Sequence, residues 1–302
     1  MNRFNLSESG PEVSELAYGV WRLADDSEGT STARVREKID ACLEVGVTTF
    51  DHADIYGMYT CEGIFGKALS EAPGLRDSME IVTKCGIRYP CDQLPDTSVK
   101  HYDATSECIE KSVNRSLTEL QTDYIDVLLI HRPDWLTSAE ETAKVLAKLL
   151  EAGKVKSVGV SNYSVHQFDL LSHYVDQGLV TNQLELSALH MDAIYDGTLD
   201  QCQRYGVHPM AWSPLSGGRL MSGDDPTASR THEALKRIGA EYHATVSQTA
   251  LAWVASLPSR PQIIIGTNSP ERIKESARFS DVQLDRQHWY EIWQAAQGNE
   301  VP

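Results

Sequence analysis

Four side chains able to hold or move a proton close apolar runs in the first half of the chain. Asp51 and Tyr56 follow the run Val47–Phe50, Lys84 ends Met79–Lys84, and His131 ends Ile125–His131. They are an acid, a phenol, an ammonium and an imidazole. A phenol titrates near ~10 and is a poor acid–base group at neutral pH. A neighbouring ammonium favours the phenolate and lowers that value; a drop of two units takes about 2.7 kcal/mol of differential interaction. A carboxylate neutralises a lysine that would be costly to bury alone. An imidazole hydrogen-bonds a substrate oxygen or helps a proton move. Singly, each has a plainer reading: Asp51 a cap or ion-pair partner, Tyr56 a core or rim aromatic, Lys84 a solvated strand end, His131 a structural imidazole. The joint reading requires a fold in which these strand ends converge.

Eight short apolar runs recur along nearly the whole chain: Glu15–Val20, Val47–Phe50, Met79–Lys84, Ile125–His131, Val155–Val160, Leu179–Leu186, His208–Trp212 and Gln262–Ile265. Several are apolar on successive residues, as in Val127-Leu128-Leu129-Ile130 and Ile263-Ile264-Ile265, the pattern of strands covered on both faces. Helical spacing separates them, as in Ile109, Val113, Leu117 and Leu120, or Val35, Ile39, Cys42 and Leu43. Ser138 with Glu141 and Ser164 with Gln167 form capping-box patterns. Ser269-Pro270 reads as an N-cap with proline at the first helical position. Asp285–Gln297 reads as an additional terminal helix. Eight strand–helix units predict an α/β chain, a (β/α)8 TIM barrel forming one domain over residues 1–302. The rival doubly wound sheet needs G-x-G at its phosphate turn, and no two of the 20 glycines stand two residues apart. Three long stretches, Gly86–Thr105, Arg132–Ser138 and Ser216–Thr231, follow strands. They therefore belong to the C-terminal face of a barrel, where loops build sites.

Lys and Arg total 27 against 43 Asp and Glu, a formal charge of −16 that argues against general binding to nucleic acid or anionic membrane. A local basic pocket for one phosphate remains compatible with it. The longest aliphatic run, Val127–Ile130, is far short of the ~20 residues of a membrane span, and Met1–Gly10 lacks the apolar stretch of a secretory leader. None of the six cysteines is spaced as CxxC, and HExxH is absent, so no metal is expected. The expectation is a cytoplasmic monomer with reduced thiols acting on a small molecule.

The chain resembles the aldo/keto reductases, and in its ending, with LAWVASLPS at Leu251–Ser259, is similar to a bacterial oxidoreductase subgroup. The carrying segments are FDHADIYG (Phe50–Gly57), TKCG (Thr83–Gly86), DVLLIHRPD (Asp126–Asp134), KVKSVGVSNY (Lys154–Tyr163), TNQLELS (Thr181–Ser187), MAWSPLSGGRL (Met210–Leu220) and IIIGTNSPERI (Ile263–Ile273). They occur in family order across nearly the whole chain.

The resemblance implies an NADPH-dependent reductase of aldehydes or ketones, with Asp51, Tyr56, Lys84 and His131 as its catalytic tetrad and Tyr56 as proton donor. Trp21 matches a residue walling the substrate pocket beside the nicotinamide, or else ordinary core; Tyr59 and Trp135 are further expected pocket walls. Ser161, Asn162 and Gln183 match residues that hold the carboxamide, and Trp212 the aromatic that stacks on the ring. Ser213, Pro214, Leu215, Gly217, Gly218 and Arg219 match the loop around the pyrophosphate. Gly266, Thr267, Asn268 and Arg272 match the adenosine-phosphate site, and Glu275 and Ser276 the adenine contacts. Arg272 with Thr267 favours NADPH. Some relatives carry lysine at the position of Gly266, which leaves NADH use open. His52 departs from the threonine or serine of many members, and either adjusts the mouth or simply packs. The segment Gly57–Glu62 reads as longer than usual. Two other classes are kept in view: a cofactor-bound redox-sensing or partner-binding barrel with little turnover, and a glycoside hydrolase using Asp51, Asp54, Asp134 and Glu185. The hydrolase gives no reason for a lysine beside a tyrosine.

Overall fold

Strands that are apolar on both faces need cover on both, and here they close on themselves. In the computed structural model, which covers residues 1–302, a two-stranded hairpin, β1 (Arg3–Asn5) and β2 (Glu12–Ser14), precedes the barrel. The eight barrel strands are β3 (Leu16–Gly19), β4 (Thr49–Asp51), β5 (Glu80–Cys85), β8 (Ile125–Ile130), β9 (Val155–Ser161), β10 (Asn182–Glu185), β11 (Met210–Trp212) and β12 (Gln262–Ile265). A second hairpin, β6 (Ile87–Arg88) with β7 (His101–Tyr102), stands in the loop after β5. All barrel pairs are parallel, and β12 closes on β3 with Ile263 opposite Leu16 and Ile265 opposite Tyr18.

The helices are α1 (Thr32–Glu44), α2 (Tyr56–Tyr59), α3 (Cys61–Ser70), α4 (Ser106–Leu120), α5 (Ala139–Glu151), α6 (Val165–Tyr174), α7 (Asp192–Tyr195), α8 (Thr198–Tyr205), α9 (Arg219–Ser222), α10 (Pro226–Glu241), α11 (Val246–Ala255), α12 (Pro270–Ser276) and α13 (Arg286–Gln297). The apolar spacing becomes burial: Ile109, Val113 and Leu120 of α4 and Val35, Ile39 and Cys42 of α1 are buried against the strands. Ser164 and Gln167 form the full reciprocal box. Ser138 caps the Glu141 amide, but the Glu141 carboxylate accepts instead from the Ser106 amide at 3.2 Å, joining α5 to α4.

The hairpin β1–β2 went unread in the sequence because three-residue strands leave no periodic signal. It matters for the site. Phe4, Leu6 and Val13 cluster with the barrel residues Ala17, Val82, Val127, Leu129, Met210 and Ile264. This apolar plug fills one end of the barrel, and the polar strand ends lie at the other.

Several boundaries differ from the sequence reading. The runs Leu179–Leu186 and His208–Trp212 shorten to β10 and β11, although the Val180 amide still donates to the Val158 carbonyl (2.9 Å) and the Thr181 carbonyl accepts from the Val160 amide (3.0 Å) of β9. Ser216–Thr231, expected as loop, is largely helical, with a 3-10 turn at Ser216–Gly218, then α9 and the start of α10. Its signal was Asp225-Pro226, a capping carboxylate followed by proline at the first helical position. Gly57–Glu62 is not a long loop: left-handed backbone at Gly57, Met58 and Tyr59 (φ 59°, 53° and 67°) turns the chain directly into α3.

Candidate active site

Side chains alternate along a strand, so Val82 and Lys84 share the inward face of β5 while Thr83 points out. Lys84 is fully buried, and its Nζ donates to both oxygens of Asp51 (2.9 and 2.8 Å), to the His52 carbonyl (2.7 Å) and to Tyr56 Oη (3.1 Å). Gln183 Nε2 donates to Asp51 Oδ1 at 2.7 Å, tying β10 to the pair. The turn carrying Tyr56 is pinned to β5 by the Asp54 amide, which donates to the Lys84 carbonyl at 3.0 Å. The His131 amide donates to the Cys85 carbonyl at 2.9 Å, and its ring stands edge-on to Tyr56 with centroids 6.0 Å apart. The four polar strand ends therefore meet, and His131 Nδ1 is buried with no protein partner.

The electrostatics correct one expectation. Burial raises the Tyr56 phenol above its ordinary value and outweighs the lowering by Lys84, so the hydroxyl stays protonated at neutral pH. Burial pulls Lys84 down, but Asp51 and Tyr56 together hold it above the usual lysine value. Burial, then Lys84 and Arg132, push His131 well below its ordinary value, so the imidazole is neutral. The combination is a neutral phenol donor, a fixed ammonium beside it and a neutral imidazole. Such a set can deliver a proton and stabilise the anion left behind.

Next to this set, Ser161 Oγ donates to the Gln183 carbonyl (3.0 Å) and accepts from Asn162 Nδ2 (2.7 Å), while Asn162 Oδ1 accepts from the Trp212 indole (3.2 Å). Trp212 ends β11, and Ser213, Ser216, Gly217 and Gly218 all have positive φ. A Cβ added at Gly217 or Gly218 meets no atom within 4 Å, so that backbone faces open space. Pro214 is buried and Leu215 half-buried. Arg219 is less available than expected, because Asp225 binds its guanidinium at 2.6 Å. After β12, Arg22 Nη1 donates to the Gly266 carbonyl (3.1 Å), Asn268 Nδ2 to the Arg22 carbonyl (2.7 Å), and Arg34 Nη2 to the Asn268 carbonyl (2.8 Å). Thr267 Oγ1 accepts from the Ser269 amide at 3.2 Å. Arg272 and Glu275 are exposed, whereas Ser276 is buried at 6% and offers adenine little surface.

Of the expected pocket walls, Trp21 is 60% and Trp135 77% exposed, which removes the core reading of Trp21. Tyr59 is only 4% exposed; its hydroxyl donates to the Ile87 carbonyl and accepts from the Tyr89 amide, so it anchors the loop after β5 instead of lining an open pocket. His52 packs: it is fully buried, edge-on to Phe65 at 4.6 Å, and burial holds it down to about 3. The sequence reading missed a polar cavity of about 380 Å3 beside Asn162 and Trp212, lined also by Arg132, Glu185 and His190. His190 Nδ1 lies 3.8 Å from Glu185. The signal available was that Arg132 and Glu185 sit at or just past strand ends.

The family model described as "Aldo/keto reductase family" matches residues 15–297. A "6-dehydroglucose reductase" of Agrobacterium fabrum is 48% identical over 301 residues, covering 100% of both chains. "Oxidoreductase YdhF" of Escherichia coli is 43% identical over 303 residues, again covering 100% of both. Among solved structures, a thermostable aldo-keto reductase, Tm1743, in complex with the inhibitor epalrestat superposes with a TM-score of 0.81 at 25% identity, covering 98% of this chain and 100% of that one.

Proposed function

The chain belongs to the aldo/keto reductase family, whose enzymes use nicotinamide cofactors, and we propose that it reduces aldehydes or ketones to alcohols with NADPH, Tyr56 donating the proton. The carrying observation is the buried Lys84 ammonium held between the Asp51 carboxylate at 2.8 Å and Tyr56 Oη at 3.1 Å. The reduced nicotinamide, when bound, supplies the hydride. Asp51 keeps Lys84 charged and in place. Tyr56 gives its proton to the substrate oxygen as the carbonyl carbon receives the hydride, and the phenolate that results rests against Lys84 until solvent reprotonates it. The neutral His131 ring orients the carbonyl by a hydrogen bond to its oxygen.

Ser161, Asn162 and Gln183 would hold the carboxamide, and Trp212 would stack on the ring. The open backbone at Gly217 and Gly218 suits close approach of a pyrophosphate. Gly266, Thr267, Asn268 and Arg272 would take the adenosine phosphates, and the exposed Arg272 supports NADPH over NADH. The polar cavity at Arg132, Glu185 and His190 supports a hydroxyl-bearing substrate, and the name of the Agrobacterium relative makes a sugar carbonyl the first to test.

The test is a panel of 6-dehydroglucose, simple aldehydes and ketones, run with NADPH and NADH side by side. Turnover is expected with NADPH, strongest on the sugar carbonyl. Absence of cofactor oxidation across the whole panel refutes the proposal.

A further inference from the structure

Tyr56 is followed by three residues in left-handed backbone, Gly57, Met58 and Tyr59, with φ of 59°, 53° and 67°. Glycine adopts that conformation freely, whereas the Cβ of Met58 and of Tyr59 crowds the next carbonyl. Such a turn persists only where its surroundings over-determine it. Met58 is exposed and gives no hold. Tyr59 is buried and gripped at both ends. Its hydroxyl is fixed by Ile87 and Tyr89 in the loop after β5, and its carbonyl accepts from Arg115 Nη2 of α4 at 2.8 Å. The same guanidinium lies 4.6 Å from the centre of the Tyr59 ring. Ser116, next to Arg115, donates to the Glu62 carboxyl at 2.9 Å, which accepts also from Thr83 of β5 at 2.6 Å. Helix α4 therefore fixes the point at which the turn ends and α3 begins. The other flank of Tyr56 is fixed by β5, through the Asp54 amide on the Lys84 carbonyl. No sequence motif singled out Arg115, because α4 reads as an ordinary amphipathic helix.

We infer that Arg115 is a positioning residue for Tyr56. By holding the Tyr59 carbonyl it keeps the left-handed turn closed, and the turn sets the phenol 3.1 Å from Lys84 Nζ and edge-on to His131. Without this hold the turn relaxes toward ordinary backbone, the phenol moves off the ammonium, and the proton is delivered out of line. A misplacement of ~1 Å costs up to about a hundredfold in rate. The inference rests on the proposed role of Tyr56 as proton donor and adds to it a residue that lies outside the mouth.

The test is a double-mutant cycle on the single-turnover rate, with NADPH and a carbonyl that the panel above finds turned over. The variants are Arg115→Met, Tyr56→Phe and the pair, measured at pH 6. Burial raises Asp54 and Glu62, the carboxyls facing Arg115, to about 7, so at this pH neither is left as an unpaired charge when the arginine is removed. Arg115→Met is expected to lose roughly tenfold to a hundredfold in rate, with NADPH affinity, read by quenching of tryptophan emission, within about twofold of wild type. In the Tyr56→Phe background the same substitution should change the residual rate by no more than about twofold, since no hydroxyl remains to be misplaced. Arg115→Lys, one bond shorter but still a charged donor, should recover most of the loss. If Arg115→Met does not fold, Arg115→Gln, whose amide nitrogen ends two bonds short of Nη2, is read by the same criteria. A wild-type rate in Arg115→Met, or equal losses with and without the Tyr56 hydroxyl, overturns the inference; a lysine variant as slow as the methionine one counts against it as well. If Tyr56→Phe keeps the wild-type rate, or no carbonyl is turned over, it is the proton-donor reading that fails, and Arg115 loses its role with it.

Discussion

Replacing Tyr56 with phenylalanine removes one oxygen and leaves its surroundings nearly satisfied. Lys84 Nζ has three hydrogens and keeps three acceptors at 2.7–2.9 Å, the two Asp51 oxygens and the His52 carbonyl. The ammonium therefore loses only its 3.1 Å contact to the phenol, and folding stability should change by no more than ~1.5 kcal/mol. Chemistry should suffer far more. A positioned general acid contributes about 10²–10⁴ in rate, equivalent to roughly 3–5 kcal/mol of barrier. The assay is single-turnover oxidation of bound NADPH after mixing with a carbonyl, accompanied by cofactor titration and thermal unfolding. The expected pattern is a collapsed rate, unchanged cofactor affinity and a nearly unchanged melting temperature. If Tyr56 is the donor, its protonated phenol is the form that works, and because burial raises its value, reduction should persist through neutral pH and decline only in alkali. A Tyr56→Phe rate within a few-fold of wild type would refute the proton-donor role.

Lys84→Met should abolish turnover and also destabilise the fold by about 3–5 kcal/mol, because Asp51 is left as an uncompensated buried charge; adding Asp51→Asn should recover much of that loss in denaturant titrations while leaving the protein inactive. Asp54 and Glu62 are buried behind β5, and burial, with their mutual repulsion acting on Asp54, raises each to about 7. A carboxyl raised on folding binds its proton more tightly in the native state, so its contribution is lost as pH climbs from about 4 through 7. The melting temperature of Asp54→Asn relative to wild type should therefore rise between pH 5 and 8, on the order of a few degrees; a difference independent of pH refutes this. Arg272→Ala should weaken NADPH at least about tenfold more than NADH, measured by quenching of tryptophan emission; equal effects remove its 2′-phosphate role.

Much of this molecule was legible in the residue order. Consecutive β-branched and leucine side chains in Val127–Ile130 and Ile263–Ile265 mark strands covered by helices on both faces, and eight such runs without a G-x-G turn pointed to the parallel barrel rather than an open sheet. The polar interruptions Asp51, Lys84 and His131 stood at strand ends for the same reason, since a parallel barrel brings those ends to one mouth. The hairpin β1–β2, three residues a strand, was invisible because its stability comes from packing Phe4 and Val13 under the barrel, not from any local pattern. Tyr59 read as a pocket wall because sequence gives proximity to Tyr56 but not the left-handed turn that buries it.

What the sequence determined by itself was the kind of groups at the mouth and the topology that gathers them: both depend on side-chain type and order along the chain. Tertiary structure alone decided their charge states and availability. Burial reverses the expected acidification of Tyr56, Gln183 reaches Asp51, and Arg22 reaches the Gly266 carbonyl. Desolvation and ion pairing depend on distances between residues far apart in the chain, and no local spacing encodes those distances.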